Sequence, residues 1–586
     1  MPCHSSMDMF DIDQDIVMES VEERQAREAR TRENDLAPIA RLPPEILADI
    51  FVRCVPISIP TLHSDLSWLN VTRVTSRWRN VALACPDFWS TLVFSRPKWT
   101  PVMLARSKMA ALVIRVDLRK EHANSPEPIL INNAARLGTL DIRAPQRYLT
   151  TFVSNLEQAD AAPGLHAIKI VNTDTDNLGE GGMWLPRDLF RRTEVVESRK
   201  AGAWSGTRLH LECCAFPWDS GWYTHLTHLH LENINPTQRP TMEGFLAILV
   251  ASPALQELTV IHCSPTTRHG FAVDLPHLTS LTIKSDSSST CARLLGYLVI
   301  PPSASVHASC NLKTTHDTRH AMYQSLIPEF SDVAPSTYDT VRIVHQAGLT
   351  YTLLDSGRPE WSRNLRVDAT SWPTNNVLRV TETIIEHLDF SNVTTLHLGA
   401  PGLLPDANTL ALWDTMGRAL RRVRTLHLLG PPAAWLEFML TQAMLLVGVS
   451  HFNSCFSLNF KPTAAPRFRG TDGALTHAWP ALQRLVLHGF DLGECGTEQL
   501  LPSSAEMLRA LLWARREGRA PIWQLEIEDC ENVFSQDLRH FRLFSEVVFD
   551  GKGHQTVEKE EDSDSLRSYS INVFANTVEH ARKLYL

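Results

Sequence analysis

Apolar residues recur at fixed positions over most of the chain, in the arrangement Leu-x-x-Leu-x-Leu, where other residues often replace a leucine. The last three positions alternate apolar, variable and apolar, which predicts a short β-strand with one buried face. Twelve segments follow this arrangement, and they begin at Leu137, Leu165, Gly206, Leu226, Leu255, Leu278, Tyr338, Val393, Val423, Leu482, Ile522 and Phe544.

Apolar segments between the copies, such as 244–252 and 505–517, predict helices. Where copies adjoin, their middle residues lie about 20 to 30 residues apart, a period typical of repeats that stack one strand and one helix each. This pattern predicts an irregular leucine-rich-repeat α/β solenoid. The alternative is an ordinary α/β domain in which the leucine spacing is coincidental.

The repeats are irregular in two respects. The asparagine that usually follows the third leucine is mostly absent, and long gaps separate some copies. We expect inserted or degenerate units in these gaps, which span 284–337, 344–392 and 429–481.

The segment before the repeats has a different, helical pattern. Pro43 and Pro44 stand where a helix can begin, since proline fits the first turn. A single apolar stripe follows, and Pro56 ends the helix. A second amphipathic segment runs over 67–89, and Pro86 marks the end of its helix. The apolar positions of the two segments are Ile46, Leu47, Ile50 and Phe51, then Leu69, Val71, Val74, Trp78 and Val81.

These two segments resemble an F-box over residues 39–107, and the latter part is similar to a large class of fungal F-box proteins. The likeness rests on Leu42-Pro43-Pro44-Glu45-Ile46-Leu47, Ile50-Phe51, Val74-Thr75-Ser76-Arg77-Trp78-Arg79, Cys85-Pro86-Asp87-Phe88-Trp89, Trp99, Arg106 and Ser107. The resemblance implies a three-helix unit that binds a Skp adaptor through Leu42, Pro43, Ile46, Leu47, Ile50, Val74, Trp78 and Trp89. The alternative is a helical hairpin that packs only on its own C-terminal domain.

The domain organisation predicted from these patterns has three parts. Residues 1–38 form an acidic, disordered start that continues into a solvated helix over about 14–34. Residues 39–92 form the F-box, and 93–586 form the leucine-rich-repeat-like domain, with a polar acidic loop at about 552–568. The fold class is therefore α/β, an N-terminal three-helix F-box followed by an irregular leucine-rich-repeat α/β solenoid.

The composition of the chain limits the kinds of partner and the cellular compartment that we expect. A net charge of -9 disfavours nucleic acid as the main partner, because phosphate binding favours a basic surface. The start of the chain is acidic where a secretory signal is basic, and no apolar run is long enough for a membrane span. The 11 cysteines include no Cys-x-x-Cys pair. We expect a cytoplasmic and/or nuclear protein without membrane contact.

Catalytic and cofactor motifs do not stand out in the sequence. We find no Gly-rich phosphate loop, no Gly-x-Ser-x-Gly elbow and no His-Glu-x-x-His helix. We therefore expect no enzymatic activity, no cofactor and no metal.

The variable residue between the last two leucines is a histidine in four copies. In a repeat solenoid this residue points to the concave face, so the four histidines predict a candidate substrate face. Its members are His210, His230, His397 and His427. A metal site and solvated histidines without a role are the alternatives, and a metal would need at least three well-placed ligands.

The expected function is that of a substrate-recognition adaptor in a Skp–cullin–F-box ubiquitin ligase. The F-box would bind the Skp adaptor and the cullin ligase core, and the repeats would bind an unknown protein substrate. One alternative is an F-box scaffold that acts outside a ligase. A less favoured one is an enzyme that uses the concave face as a cleft.

Overall fold

The structure is a computed structural model, and its described residues form two compact units, Met1–Trp222 and Tyr223–Leu586. The described residues are 21–56, 66–96, 98–118, 126–156, 162–174, 182–187, 189–190, 207–267, 269–285, 288–301, 303–311, 339–345, 348–354, 364–370, 390–399, 416–430, 436, 439, 479–493 and 503–555. The predicted disordered start and most of the predicted loop at 552–568 lie outside them.

The first unit begins with helices that follow the predicted pattern. Pro43 and Pro44 open the second helix, while the side chain of Thr75 caps the third by accepting a hydrogen bond from the Trp78 amide at 3.1 Å. The third helix ends two residues before Pro86, as the proline predicts. The helices are α1 (Val21–Leu36), α2 (Pro44–Arg53), α3 (Ser76–Ala84) and α4 (Trp99–Arg106), with 3₁₀ turns at Pro38–Arg41, Ser67–Arg73 and Pro86–Trp89.

An aromatic cluster holds these helices together. Phe51 of α2 lies 5.1 Å from Trp78 of α3 and 6.2 Å from Phe88, measured between ring centroids. Phe88 in turn lies 4.8 Å from Trp68 and 5.2 Å from Trp89, edge to face in both cases. Such contacts add about 0.5–1.5 kcal/mol each to the burial of the rings. One side of the apolar stripe of α2 is therefore buried in this aromatic core.

Polar contacts extend this cluster toward the first strands. The Trp89 indole donates a hydrogen bond to the Ala82 carbonyl at 2.8 Å, and the Arg106 guanidinium lies 4.6 Å above the Trp89 ring. Arg136 donates to the Ser107 hydroxyl at 2.8 Å and to the Ala110 carbonyl at 3.1 Å. The helices are thus continuous with the first repeats, and the structure divides the chain at Trp222 rather than at the predicted boundary after residue 92.

The first unit contains a parallel sheet in the order β1–β2–β3–β4–β6, with β5 and β7 forming a separate parallel pair. Helices α5 (Glu127–Asn132) and α6 (Gln146–Leu156) precede and follow β3. The strands are β1 (Thr91–Leu92), β2 (Leu112–Asp117), β3 (Leu137–Ala144), β4 (Ala167–Asn172), β5 (Met183–Trp184), β6 (Thr207–Glu212) and β7 (Cys214–Ala215).

The described residues of the second unit form a larger set of strands and four helices. The helices are α7 (Met242–Val250), α8 (Ser288–Gly296), α9 (Ser504–Glu517) and α10 (Ser535–Phe541). The strands are β8 (Leu226–Glu232), β9 (Glu257–Ile261), β10 (Val273–Asp274), β11 (Ser280–Ser285), β12 (Leu298–Val299), β13 (Ser305–Asn311), β14 (Thr340–His345), β15 (Gly348–Leu354), β16 (Asn364–Thr370), β17 (Thr395–Gly399), β18 (Thr425–Leu429), β19 (Arg484–His488), β20 (Gln524–Glu528), β21 (Val533–Phe534), β22 (Glu546–Phe549) and β23 (His554–Gln555).

The main sheet of the second unit departs from simple sequential stacking at one place. Its pairings run β8–β9–β11–β13–β16–β15–β14–β17–β18–β19–β20–β22. All neighbours are parallel except β15, which lies antiparallel between β16 and β14. This antiparallel insertion occupies part of the gap at 344–392, where inserted units were expected.

The twelve predicted segments each contain a strand, and the helices predicted at 244–252 and 505–517 are α7 and α9. The predicted α/β class with parallel strands is therefore confirmed, and the order of the strands is consistent with a repeat solenoid. The longer strands β2, β13, β15 and β16 were missed because they lack the full leucine arrangement, and so were the two-residue strands. In β13, for example, the two buried positions are Val306 and Ala308.

The chain turns in the same way after many strands. The residue two positions after the third leucine has a left-handed backbone in β6, β8, β9, β18, β19 and β20, at Cys213, Asn233, His262, Gly430, Gly489 and Asp529. Glycine and asparagine adopt this conformation at low cost. Six repeats therefore share one turn geometry, and among these six the position is an asparagine only at Asn233.

The leucines of the pattern form the core of the sheet, and this generates a stability prediction. Leu426 on β18 is fully buried. We expect Leu426→Ala to reduce the free energy of unfolding by about 2–5 kcal/mol, because the change leaves a cavity. Gln483→Ala, at an exposed position beside the neighbouring strand, should stay within about 0.5 kcal/mol. Urea denaturation followed by circular dichroism measures both, and equal effects would contradict the assigned register.

Candidate functional site

The predicted adaptor-binding residues divide into an exposed and a buried set. Ile46 and Ile50 are 49% and 39% exposed and lie four residues apart, on one face of α2. Val74, at the end of the 3₁₀ turn before α3, is 55% exposed. Pro43 is also exposed, whereas Leu42 is half-buried. Three of the eight predicted residues are thus large apolar side chains in contact with solvent.

Leu47 and Trp89 lie in the core instead. They are 0% and 1% exposed, so they have almost no surface to offer to a partner. Trp78 is half-buried and packs against Phe51. The expectation that Leu47 and Trp89 contact a partner directly is therefore revised: in this structure they support the helix that carries Ile46 and Ile50. The apolar stripe of α2 is wide enough to contact both the core and solvent. The sequence pattern alone does not show which of its residues are buried and which are exposed.

A positioning contact that sequence reasoning missed involves Arg77 on α3. Its guanidinium donates hydrogen bonds to the backbone carbonyls of Ala40 and Leu42, just ahead of α2. These two hydrogen bonds tie α3 to the turn before α2, so the arginine fixes the approach of the chain to Pro43. The signal was present in the segment Val74-Thr75-Ser76-Arg77-Trp78-Arg79, where an arginine stands one residue before a core aromatic.

The second candidate site is the face of the sheet formed by the variable residues between the buried leucines. In the second unit these residues are register partners from strand to strand. His230 on β8, His397 on β17 and His427 on β18 occupy this face, and all three are half-buried. His307 on β13 occupies it too. His307 was not predicted because its strand has Val306 and Ala308 in place of leucines.

His397 and His427 lie directly against each other. They are register partners on neighbouring strands, and their rings stack with centroids 4.0 Å apart and planes 11° apart. Burial lowers the pKa of His397 to about 4, with smaller contributions from His427 and Arg342. Burial also lowers the pKa of His427, helped by Arg484 and opposed by Glu526. The pair is therefore uncharged at neutral pH and offers hydrogen-bonding nitrogens rather than charge.

The sheet face beyond this pair is partly covered. Val486 and Glu526 occupy the same variable position on β19 and β20, yet they are only 1% and 7% exposed. Glu526 accepts two hydrogen bonds from Arg484, at 3.0 and 2.7 Å, in a bidentate ion pair. The expectation that every variable position faces solvent is therefore wrong on these two strands, where neighbouring side chains cover the face.

The remaining predicted histidines have charged neighbours on their own strands or sheets. His230 lies 2.8 Å from a carboxylate oxygen of Glu232. His210 belongs to the first unit, where it follows Arg115, Asp141 and Lys169 in the register of β2, β3, β4 and β6. Burial raises the pKa of Asp141, opposed by the charges of Lys169, Arg115 and Arg143. The residues in register with His210 on the preceding strands therefore alternate in charge, from Arg115 to Asp141 to Lys169.

Comparison with known proteins gives little further guidance. No protein-family model and no curated protein match the chain. Among solved structures, a leucine-rich-repeat protein of Leptospira interrogans is similar at 12% identity, with a TM-score of 0.22. The alignment covers 71% of this chain and 90% of that one. Within the part of the chain that the structure describes, no helix combines the length and the apolar character needed to cross a membrane.

The stacked histidine pair generates a prediction about the pH dependence of stability. The folded-state pKa of His397 lies below the unfolded value of 6.5, so the unfolded chain binds the proton more readily. The stabilising contribution of neutral His397 is therefore complete above about pH 6.5 and is lost as the pH falls toward about 4. Urea denaturation between pH 4 and pH 8 should show this loss in the native chain and a smaller loss in His397→Gln.

The titration can also be followed directly by NMR of carbon-labelled histidine, with His397→Gln identifying the resonance. A midpoint for His397 between about pH 6 and 7.5 would contradict the burial argument.

Proposed function

We propose that this protein is the substrate-recognition adaptor of a Skp–cullin–F-box ubiquitin ligase. Its N-terminal helices would bind the Skp adaptor, and its repeats would bind a protein substrate. The observation that carries this proposal is the division of α2, whose inner residues Leu47 and Phe51 are fully buried while Ile46 and Ile50 stay in solvent. A short helix that keeps two isoleucines exposed on one face is suited to docking on an apolar partner surface.

The surroundings of α2 support the same role. Apolar side chains are also exposed at Leu36 and Ile39, shortly before α2, and at Val74, just before α3. The aromatic cluster and the Arg77 hydrogen bonds hold α2 in place beneath them. A pre-positioned docking helix loses little conformational entropy when a partner binds, which favours affinity.

The repeats support the other half of the proposal. Parallel strands with buried leucines align their variable side chains from strand to strand, as at His397 and His427, a geometry that repeat proteins use to bind other proteins. In a ligase the chain would carry out no chemistry itself. It would raise the local concentration of a substrate lysine near the ubiquitin-charged enzyme, and the gain in rate would come from proximity.

Binding of the purified chain to a purified Skp adaptor tests the docking helix. We expect Ile46→Ala combined with Ile50→Ala to weaken this binding at least about tenfold, because truncating a central apolar anchor costs about 1–4 kcal/mol. The matched control is Val250→Ala combined with Val299→Ala, which also truncates two exposed β-branched side chains, but in the second unit. Calorimetry or biolayer interferometry gives the dissociation constants.

Leu47→Ala serves as a separate comparison, because its side chain is fully buried and the change should reduce stability rather than remove contact area. Unchanged affinity of the Ile46/Ile50 variant, with its fold intact by circular dichroism, would refute the docking helix. Capture of the Skp adaptor without a cullin from cells would favour the scaffold alternative over the ligase.

A further inference from the structure

Strands β18, β19 and β20 begin at one edge of the second-unit sheet, and the residues just before them form a continuous row of hydrogen-bonded backbones. The Gln483 amide donates to the Arg424 carbonyl at 2.9 Å, and the Trp523 amide donates to the Gln483 carbonyl at 2.8 Å. The Glu546 amide then donates to the Trp523 carbonyl at 2.8 Å, which brings the start of β22 into the same row. Since adjacent strands lie about 4.8 Å apart, the backbones of Arg424 and Trp523 are separated by roughly 10 Å.

Arginines are concentrated along this row. Arg421, Arg422 and Arg424 are exposed at the turn that leads into β18. Arg516 and Arg519 are exposed between the last turn of α9 and β20. The exposed acids among the described residues of these turns are Glu517 and Glu546. The row is therefore locally positive on a chain whose net charge is -9.

Apolar side chains are exposed beside these arginines. Trp523 is 65% exposed, and Leu543, ahead of β22, is 55% exposed. The Arg516 guanidinium donates to the Leu543 carbonyl at 2.7 Å, which places Arg516 and Leu543 together at this edge. Tryptophan and arginine are the residues that most often supply the binding energy of protein interfaces. A row that exposes both has the composition of a binding surface rather than of an ordinary solvated turn.

We infer that this row, the arginine edge (Arg421, Arg422, Arg424, Arg516, Arg519 and Trp523), binds an acidic, extended segment of the substrate protein. Carboxylates of the segment pair with the guanidinium groups, and an apolar side chain of the segment packs on Trp523. The inference rests on the proposed function, since it assigns a partner chemistry to the repeats. The row from β18 to β22 crosses three strand intervals, about 14 Å, which an extended segment of about four residues covers.

Charge complementarity selects a polypeptide over a polynucleotide. The attraction of the arginine edge is local, because it is screened beyond a Debye length of about 8–10 Å. A short acidic segment places its charges only on the edge. A polyphosphate chain extends past the edge, and the chain as a whole has a net charge of -9, which disfavours a long polyanion. Single-stranded RNA therefore serves as the competing ligand in the test.

The test measures fluorescence anisotropy of a labelled peptide in which glutamates and aspartates flank a central leucine, added to the full-length protein. We expect the variant Arg421→Glu/Arg422→Glu/Arg424→Glu to bind at least about tenfold more weakly than the native chain, with a reduced dependence on salt. The matched control is Arg208→Glu, an exposed arginine on β6 of the first unit, which should bind as the native chain does. If the triple variant loses its fold by circular dichroism, Arg422→Gln gives the same comparison with a smaller perturbation.

A double-mutant cycle tests the apolar contact. Trp523→Ala should weaken binding of the leucine peptide about tenfold but leave binding of a matched peptide with glycine in place of leucine nearly unchanged. Equal losses for both peptides would overturn the assigned packing on Trp523.

The inference as a whole is overturned if the acidic peptide does not bind, if it binds regardless of the arginines, or if RNA binds through these arginines and the peptide does not. The same protein samples are tested for binding to the Skp adaptor. Skp binding that persists when peptide binding is absent refutes the arginine edge alone, whereas lost Skp binding in the native chain refutes the proposed function.

Discussion

The fold depends on one constraint: every strand of the repeat must bury its leucines against those of the next strand while the backbones pair in parallel register. Leu396, Leu426, Leu485 and Leu525 are register partners on successive strands, and all are fully buried. Burial of a leucine stabilises the fold by about 1.5–3 kcal/mol, and no single repeat can bury its own apolar face. Strand spacing, turn geometry and the order of exposed residues all follow from this stacking.

The same constraint organises both candidate surfaces of the repeats. Register pairing makes the variable residues line up, so His397 on β17 meets His427 on β18. Arg484 on β19 reaches diagonally to Glu526 on the neighbouring strand β20. It also makes the residues before each strand line up, and these residues form the arginine edge. Binding surfaces of this kind need no pocket, because the backbone ladder itself sets the spacing of the side chains. The N-terminal helices work differently, through an aromatic cluster that leaves part of one helix exposed.

Much of the fold could be predicted, because the spacing of apolar residues along the chain indicates which face of a strand or helix is buried. All twelve leucine segments contain strands, α7 and α9 lie where the apolar segments predicted helices, and α2 begins at its prolines. The antiparallel β15 and the strands without leucines could not be predicted in this way. Their burial is decided by neighbours distant in sequence, as when Ala308 on β13 fills a position that a leucine occupies elsewhere.

The sequence by itself determined the strands that carry the leucine pattern, the start of α2 at its prolines and the positions of the apolar residues, because these properties depend on neighbours within a few residues along the chain. The tertiary structure alone decided which apolar residues remain in solvent: Ile46 and Ile50 are exposed, and Leu47, one residue from Ile46, is not. It also decided that His397 is uncharged near neutral pH and that Arg424 and Trp523 share one edge. The burial of a side chain, its protonation state and its neighbours in space depend on packing between residues far apart in the sequence. Local sequence patterns do not show this packing.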